Sequence, residues 1–180
     1  YEDVRVPVSN LVGPEHGGWG LITNQLNHER VTICSSGIIE RRYRDLLAWA
    51  KETTTAGGER IIDLPWVQRN LAHIRAHHEF LRLANYEIAF KAERGDPLNP
   101  ADASVVKVYG SELYMEAYDL MLEIVGAAAG IEDGSPGAVL RGQLQADIRS
   151  QHVLTFGGGT NEMQRGLIAV FALGMPGSPR

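Results

Sequence analysis

Two groups of residues in this chain have the types and spacing for chemistry. The first is Glu29. Ile22, Leu26, Glu29 and Ile33 follow one another at steps of four, three and four, so the carboxylate falls on the apolar stripe of a helix. Burial on such a stripe disfavours the charged form and raises a carboxyl's pKa. A carboxylate raised in this way suits proton abstraction near neutral pH. The competing reading is a structural ion pair, with the glutamate meeting an Arg or His across the core. The second group is Phe156-Gly157-Gly158-Gly159-Thr160-Asn161-Glu162. Three glycines let a backbone come close to a ligand. A helix start capped by Thr160 or Asn161 offers free N–H groups to an anion or a polarised oxygen. The same segment also reads as a plain helix–helix turn, which rarely needs three glycines.

Other chemistry-bearing residues carry weaker signals. His73 and His77 have the i, i+4 spacing of a metal pair, but no third ligand joins them at a clear spacing, so no metal site is expected. His78 and Asn85 fall on a helix seam, where they satisfy each other or set register. Cys34, the one cysteine, reads as a small core residue and excludes an internal disulfide. It fits a reducing, cytoplasmic setting. Ser-His-Asp orders, Walker loops and GxGxxG motifs are absent. A net charge of −5 argues against a nucleic-acid binder. No apolar run reaches the roughly 20 residues of a membrane span.

The elements that must position these groups are helical. Residues 1–15 read as an extended segment in which Val4, Val6 and Val8 alternate, limited by Pro7 to an edge or terminal strand. A first helix is expected over 19–52. A second, over 65–94, starts at Pro65 and carries the seam Val67, Leu71, Ile74, His78, Leu81, Asn85 and Ile88 at alternating fours and threes. A third spans 101–126 with Val105, Tyr109, Leu113, Leu120 and Ile124 on its stripe. Ser135-Pro136 is read as the start of a fourth, over 136–153, with Leu140, Leu144 and Ile148 on one face. A short helix after Thr160 carries Met163, Leu167, Ile168 and Phe171. The expected fold is all-α, an up-down antiparallel four-helix bundle over 16–180 behind a short N-terminal extended segment, 1–15.

These residues resemble one family across nearly the whole chain, the acyl-CoA dehydrogenases. Tyr1 to Pro7 with Asn10-Leu11-Val12-Gly13 resembles the segment leaving that family's β-domain, so the chain is expected to be a piece of a longer polypeptide. Leu26-Asn27-His28-Glu29-Arg30 resembles the start of the first C-terminal helix. Phe156 to Arg165, followed by Ile168-Ala169 and Leu173-Gly174, resembles the C-terminal signature. The family carries its catalytic glutamate in one of two places. Short- and medium-chain members have it in the terminal loop, where this chain has Gly158. Isovaleryl-CoA dehydrogenase and its relatives have it on the first helix before an arginine, where this chain has Glu29 before Arg30.

The resemblance implies α,β-dehydrogenation of an acyl-CoA thioester to a trans-2-enoyl-CoA, with Glu29 removing the α-proton, FAD taking the β-hydride, and an electron-transfer flavoprotein reoxidising the flavin. By position it implies that Asn27, His28, Arg30, Gly158 and Gly159 line the acyl-thioester site and that Thr160, Asn161 and Glu162 touch FAD. Glu123, Gly126 and Ala127 match a stretch that reaches FAD across a dimer interface, so a homo- or hetero-oligomer is implied. There are departures. Glu123 stands where many members have Gln, Ala127 where they have a second Gly, and Thr53 to Gly58 replaces an Arg-x-x-Phe-Gly segment. Bacterial relatives acting on steroid side-chain or other bulky acyl-CoAs show such changes, some as mixed-subunit tetramers. The isolated chain is expected to be inactive, to bind FAD weakly and to self-associate, with Trp19, Trp66 and the helix from Ala101 to Val125 as candidate contributors. The alternative from another class is a non-catalytic helical interaction or oligomerisation module. A ferritin-like metal bundle fails for want of Glu-x-x-His pairs.

Overall fold

The computed structural model describes residues 1–177. Six α-helices make up the framework: α1 (Gly18–Ile33), α2 (Ser36–Glu52), α3 (Pro65–Glu93), α4 (Pro100–Val125), α5 (Gln143–Gln151) and α6 (Asn161–Phe171). The all-helical bundle expected from the sequence is observed. Its antiparallel α3–α4 pair can be read from the bonds between them. Asn70 meets Glu123, His73 meets Glu116, His77 meets Tyr109 and Lys91 meets Asp102. Moving up α3 is moving down α4.

The α3 seam is buried as its periodicity requires. Val67, Leu71, Ile74, His78, Leu81 and Ile88 are all at most 6% exposed, and Asn85 is half-buried. α4 is the hub, packing against α1, α2, α3, α5 and α6. Enclosed on several sides, it buries far more than one stripe. Tyr114, Ala117, Tyr118 and Met121 are core, while Val105 of the expected stripe is 41% exposed. Much of the Ala101–Val125 helix is therefore covered within the chain, and Trp66 is packed against the core as well.

Three expectations about boundaries are corrected. The helix read over 19–52 is two helices broken at Cys34-Ser35. Ser35 caps α2, its Oγ accepting from the Gly37 N–H. The break is held from outside: the Tyr114 hydroxyl donates to the Ser35 carbonyl, and Asn85 accepts from the Ser36 N–H at 3.1 Å and donates to the Cys34 carbonyl at 3.4 Å. Asn85 thus sets the helix break, not a pairing with His78. Gly110 lets α4 approach this junction, since a Cβ there would lie 2.6 Å from the Cβ of Cys34. Burial pushes the Cys34 thiol up to about 12, so it acts as a core group.

The fourth helix starts at Gln143, not Pro136. Ser135-Pro136 opens a turn instead, because Gly137 (φ +85°), Leu140, Arg141 and Gly142 are left-handed. Residues 1–15 pair with no strand among the described residues. Val4, Val6 and Val8 are exposed, and Val8–Asn10 forms a 3-10 turn. A strand needs a partner edge for its backbone groups, and this segment meets none among the described residues.

Candidate functional site

α1 and the glycine loop, 128 residues apart in sequence, meet at one hydrogen bond. Arg30 Nε donates to the Gly158 carbonyl at 3.1 Å, and its Nη1 donates to Asn27 Oδ1 at 2.9 Å. Gln164 Nε2, from α6, donates to the same Gly158 carbonyl at 3.1 Å. The loop conformation requires glycine twice. Gly158 has φ +70°, and a Cβ there would lie 3.1 Å from Ile33 Cδ1. Gly159 has φ +98°, and a Cβ there would lie 2.5 Å from Gln164 Nε2. A larger side chain at Gly158 would have to displace the Ile33 side chain of α1.

Glu29 is the residue before Arg30, so it lies on the helix that touches the loop. It is exposed, as is His28, and α1 has no buried residue of its own. The desolvation expected from the apolar stripe is not supplied by the described residues. Ile22 on that stripe is 40% exposed, and only Leu26 and Ile33 are half-buried. The competing reading, an ion pair of Glu29 with an Arg or His across the core, is not observed among the described residues either.

The remaining candidates divide into outward and inward groups. Thr160 is exposed and caps α6, its hydroxyl accepting from the Met163 N–H at 3.2 Å. Glu162 is exposed, and hydrogen bonds from its own N–H and from Thr160 hold its carboxyl below the usual range. Asn161 faces inward: its Oδ1 accepts from Lys107 Nζ at 2.6 Å, and its Nδ2 donates to Ser111 Oγ at 3.0 Å. Glu123, Gly126 and Ala127 are exposed at the far end of α4, with Glu123 accepting from Asn70 at 2.9 Å. Thr160 to Glu162 sit beside the Lys107–Glu112 stretch. Eleven residues further along α4, at a rise of about 1.5 Å each, place Glu123 roughly 16 Å away. One chain cannot bring both groups to the same point of a ligand.

Four residues at this site were not anticipated: Ser104, Lys107, Ser111 and Gln164, all buried. Of the α6 stripe read from apolar spacing, Met163 is 65% and Phe171 52% exposed, Leu167 and Ile168 are half-buried, and none is fully buried. α6 docks on α4 through polar groups instead. The signal was present as a polar stripe at steps of three and four, Ser104, Lys107 and Ser111, inside an otherwise apolar helix. His73 and His77 bond to Glu116 and Tyr109, and no three-ligand metal cluster forms among the described residues. A surface groove of about 450 Å³ beside Tyr43, Leu47, Leu71 and Arg75 is lined by none of the candidate residues. No helix among the described residues is long and apolar enough to cross a membrane.

The sequence matches the family described as acyl-CoA dehydrogenase, C-terminal domain, over residues 16–173. The chain belongs to the acyl-CoA dehydrogenase family. It is 50% identical to acyl-CoA dehydrogenase FadE26 of Mycobacterium tuberculosis, with 100% of this chain and 46% of that protein aligned. It is 41% identical to FadE29 of the same organism, over 100% of this chain and 45% of the relative. The chain thus spans about half the length of the curated relatives it matches. Among solved structures, the ChsE4–ChsE5 complex from Mycobacterium tuberculosis superposes with a TM-score of 0.86 at 52% identity, covering 98% of this chain and 45% of that one. A steroid acyl-CoA dehydrogenase, Tcur3481–Tcur3483, gives a TM-score of 0.86 at 43% identity, over 99% and 45%.

Proposed function

We propose that the polypeptide carrying this domain is an FAD-dependent acyl-CoA dehydrogenase in which Glu29 is the catalytic base. The observation that carries the reading is the Arg30–Gly158 hydrogen bond. It brings the helix that carries Glu29 against Gly158, which supports reading these as the two alternative positions that the family resemblance offers for the base, one holding a carboxylate and the other a glycine. Glu29 takes the α-proton of an acyl-CoA thioester, and the product is a trans-2-enoyl-CoA. Asn27, His28, Arg30, Gly158 and Gly159 line the thioester site. Exposure of Glu29 in this chain leaves its covering to groups outside it.

The cofactor positions fit an oligomer. Thr160 and Glu162 stand open at the start of α6, where they can meet FAD together with the backbone of Asn161. Glu123, Gly126 and Ala127, roughly 16 Å along α4 by helical rise, would serve the FAD of a neighbouring subunit. When bound, FAD supplies the acceptor for the β-hydride, and an electron-transfer flavoprotein is the proposed reoxidant. The names of the relatives favour a bulky, steroid-type acyl-CoA and a mixed-subunit assembly. The oligomerisation-module alternative leaves the contact between α1 and the glycine loop without a purpose.

The test is Glu29→Gln in the full-length protein with its partner subunit. Shape is kept and the proton acceptor lost. Folding and acyl-CoA binding should persist, while turnover falls by at least about a hundredfold, the lower end for a general base. Turnover within a few-fold of wild type would remove Glu29 from the mechanism.

A further inference from the structure

Lys107 lies in the middle of α4 with no exposed surface, and its ammonium donates to two neutral oxygens, not to a carboxylate. One is Asn161 Oδ1 at 2.6 Å; the other is the Thr155 carbonyl at 3.2 Å. Thr155 precedes the segment 156–160 and Asn161 follows it. A single ammonium therefore ties together the two ends of the glycine loop. Asn161 is held in turn by Ser111 at 3.0 Å, and Gln164, which donates to the Gly158 carbonyl, accepts from Ser104 at 2.8 Å. Ser104, Lys107 and Ser111 share one face of α4, so the loop rests on a polar shelf built from one helix.

Burying a cation without a counter-ion is unfavourable. An apolar residue of similar volume would pack this point of α4 without that penalty, but could not bridge the loop. The Arg30 and Gln164 side chains fix the middle of the loop at Gly158, the Gln164 backbone N–H bonds to the Thr160 carbonyl at 3.0 Å, and neither side chain joins Thr155 to Asn161 as Lys107 does. We propose that Lys107 is a positioning residue: by bridging Thr155 and Asn161 it fixes the glycine loop opposite Glu29 in the geometry the reaction uses. This role rests on the proposed dehydrogenase chemistry.

The test is amide hydrogen exchange on the full-length polypeptide, with Lys107→Met and Asn161→Ala, singly and together. The reporters are the Gly157 N–H, bonded to the Val153 carbonyl at 2.6 Å, and the Gly159 N–H, bonded to the Phe156 carbonyl at 3.1 Å. Each single substitution should speed exchange at these amides by roughly tenfold, the factor carried by one charge-assisted hydrogen bond. Amides of α3 should keep their protection. The double variant should add little, because both changes break the same bond. Unchanged loop exchange in a folded variant, or acceleration spread equally over α3 and α4, overturns the proposal. Should Lys107→Met not fold, Asn161→Ala decides alone, since it removes the same bond from the loop side. In turnover, Lys107→Met should lower kcat while KM for acyl-CoA holds. A loosened loop with unchanged kcat overturns the role in the reaction. A wild-type protein with no dehydrogenase activity would instead sink the proposed function, and the exchange data would still settle the bridge.

Discussion

α1 and α3 carry the same apolar rhythm and meet opposite fates. Ile22, Leu26, Glu29 and Ile33 repeat at fours and threes, as do Val67 to Ile88. On α3 the repeat is a buried seam; on α1 it is a largely open face with an exposed carboxylate. The period of a helix reveals which face is apolar, but not whether the covering surface belongs to the same chain. α3 is covered by α2 and α4. The open side of α1 holds the proposed base, and a substrate and cofactor need room there.

Truncating one residue on each stripe should expose the difference most strongly. Ile74 is fully buried, and Ile74→Ala should destabilise the chain by about 3 kcal/mol through lost transfer energy and a cavity. Ile22 is 40% exposed, and Ile22→Ala should change stability by no more than about 0.5 kcal/mol. Denaturant unfolding of both variants checks this, and equal losses would mean that α1 is covered after all. Repeating Ile22→Ala in the full-length assembly sharpens the comparison, because its effect should grow if another domain lies on α1.

A smaller effect is expected at the loop. Gly159→Ala forces a side chain into φ +98° and against Gln164 Nε2. It should destabilise by about 2 kcal/mol, within the range for a strained backbone position. The readout is thermal unfolding together with loss of protection at the Gly159 amide. Wild-type values in both would show that the loop has another accessible shape.

Much of the fold was legible because local rules governed it. Pro65 began α3, the seam named its core, and Thr160 capped α6. What was missed depended on distant residues. The break at Cys34-Ser35 is fixed by Asn85 and Tyr114, far along the chain. The stretch from Pro136 to Gly142 looked helical by its cap, but left-handed residues turned it aside. At the candidate site, the reading that Asn27 to Arg30 and Gly158-Gly159 line one site came from the resemblance; the Arg30 bond brings these two segments into contact. The polar shelf under α6 went unread because buried Ser, Lys and Asn look like surface residues until a partner is placed over them. Glu29's exposure shows the converse, an apolar setting inferred from spacing that this chain does not provide.

The smallest expected effect concerns the polar residue that the α3 seam does bury. His78 is 2% exposed, and its Nε2 has no hydrogen-bond partner among the described residues. Burial, and then the Arg75 guanidinium, push its pKa below the ordinary 6.5, while Glu40 and Glu79 oppose that shift. The folded state therefore binds a proton at His78 less readily than the unfolded chain. Its contribution to stability is fully present above about pH 6.5, the unfolded value. It is lost as pH falls from there toward the folded value, and levels off below it. Denaturant unfolding from about pH 7 down to about pH 5, the range over which histidine titrates, should show this decline. His78→Gln should lower stability at neutral pH and flatten this part of the profile, the other histidines cancelling in the difference. An unchanged slope would place the acid sensitivity elsewhere. It would also mean that a histidine in this seam escapes the desolvation that its neighbours' burial implies.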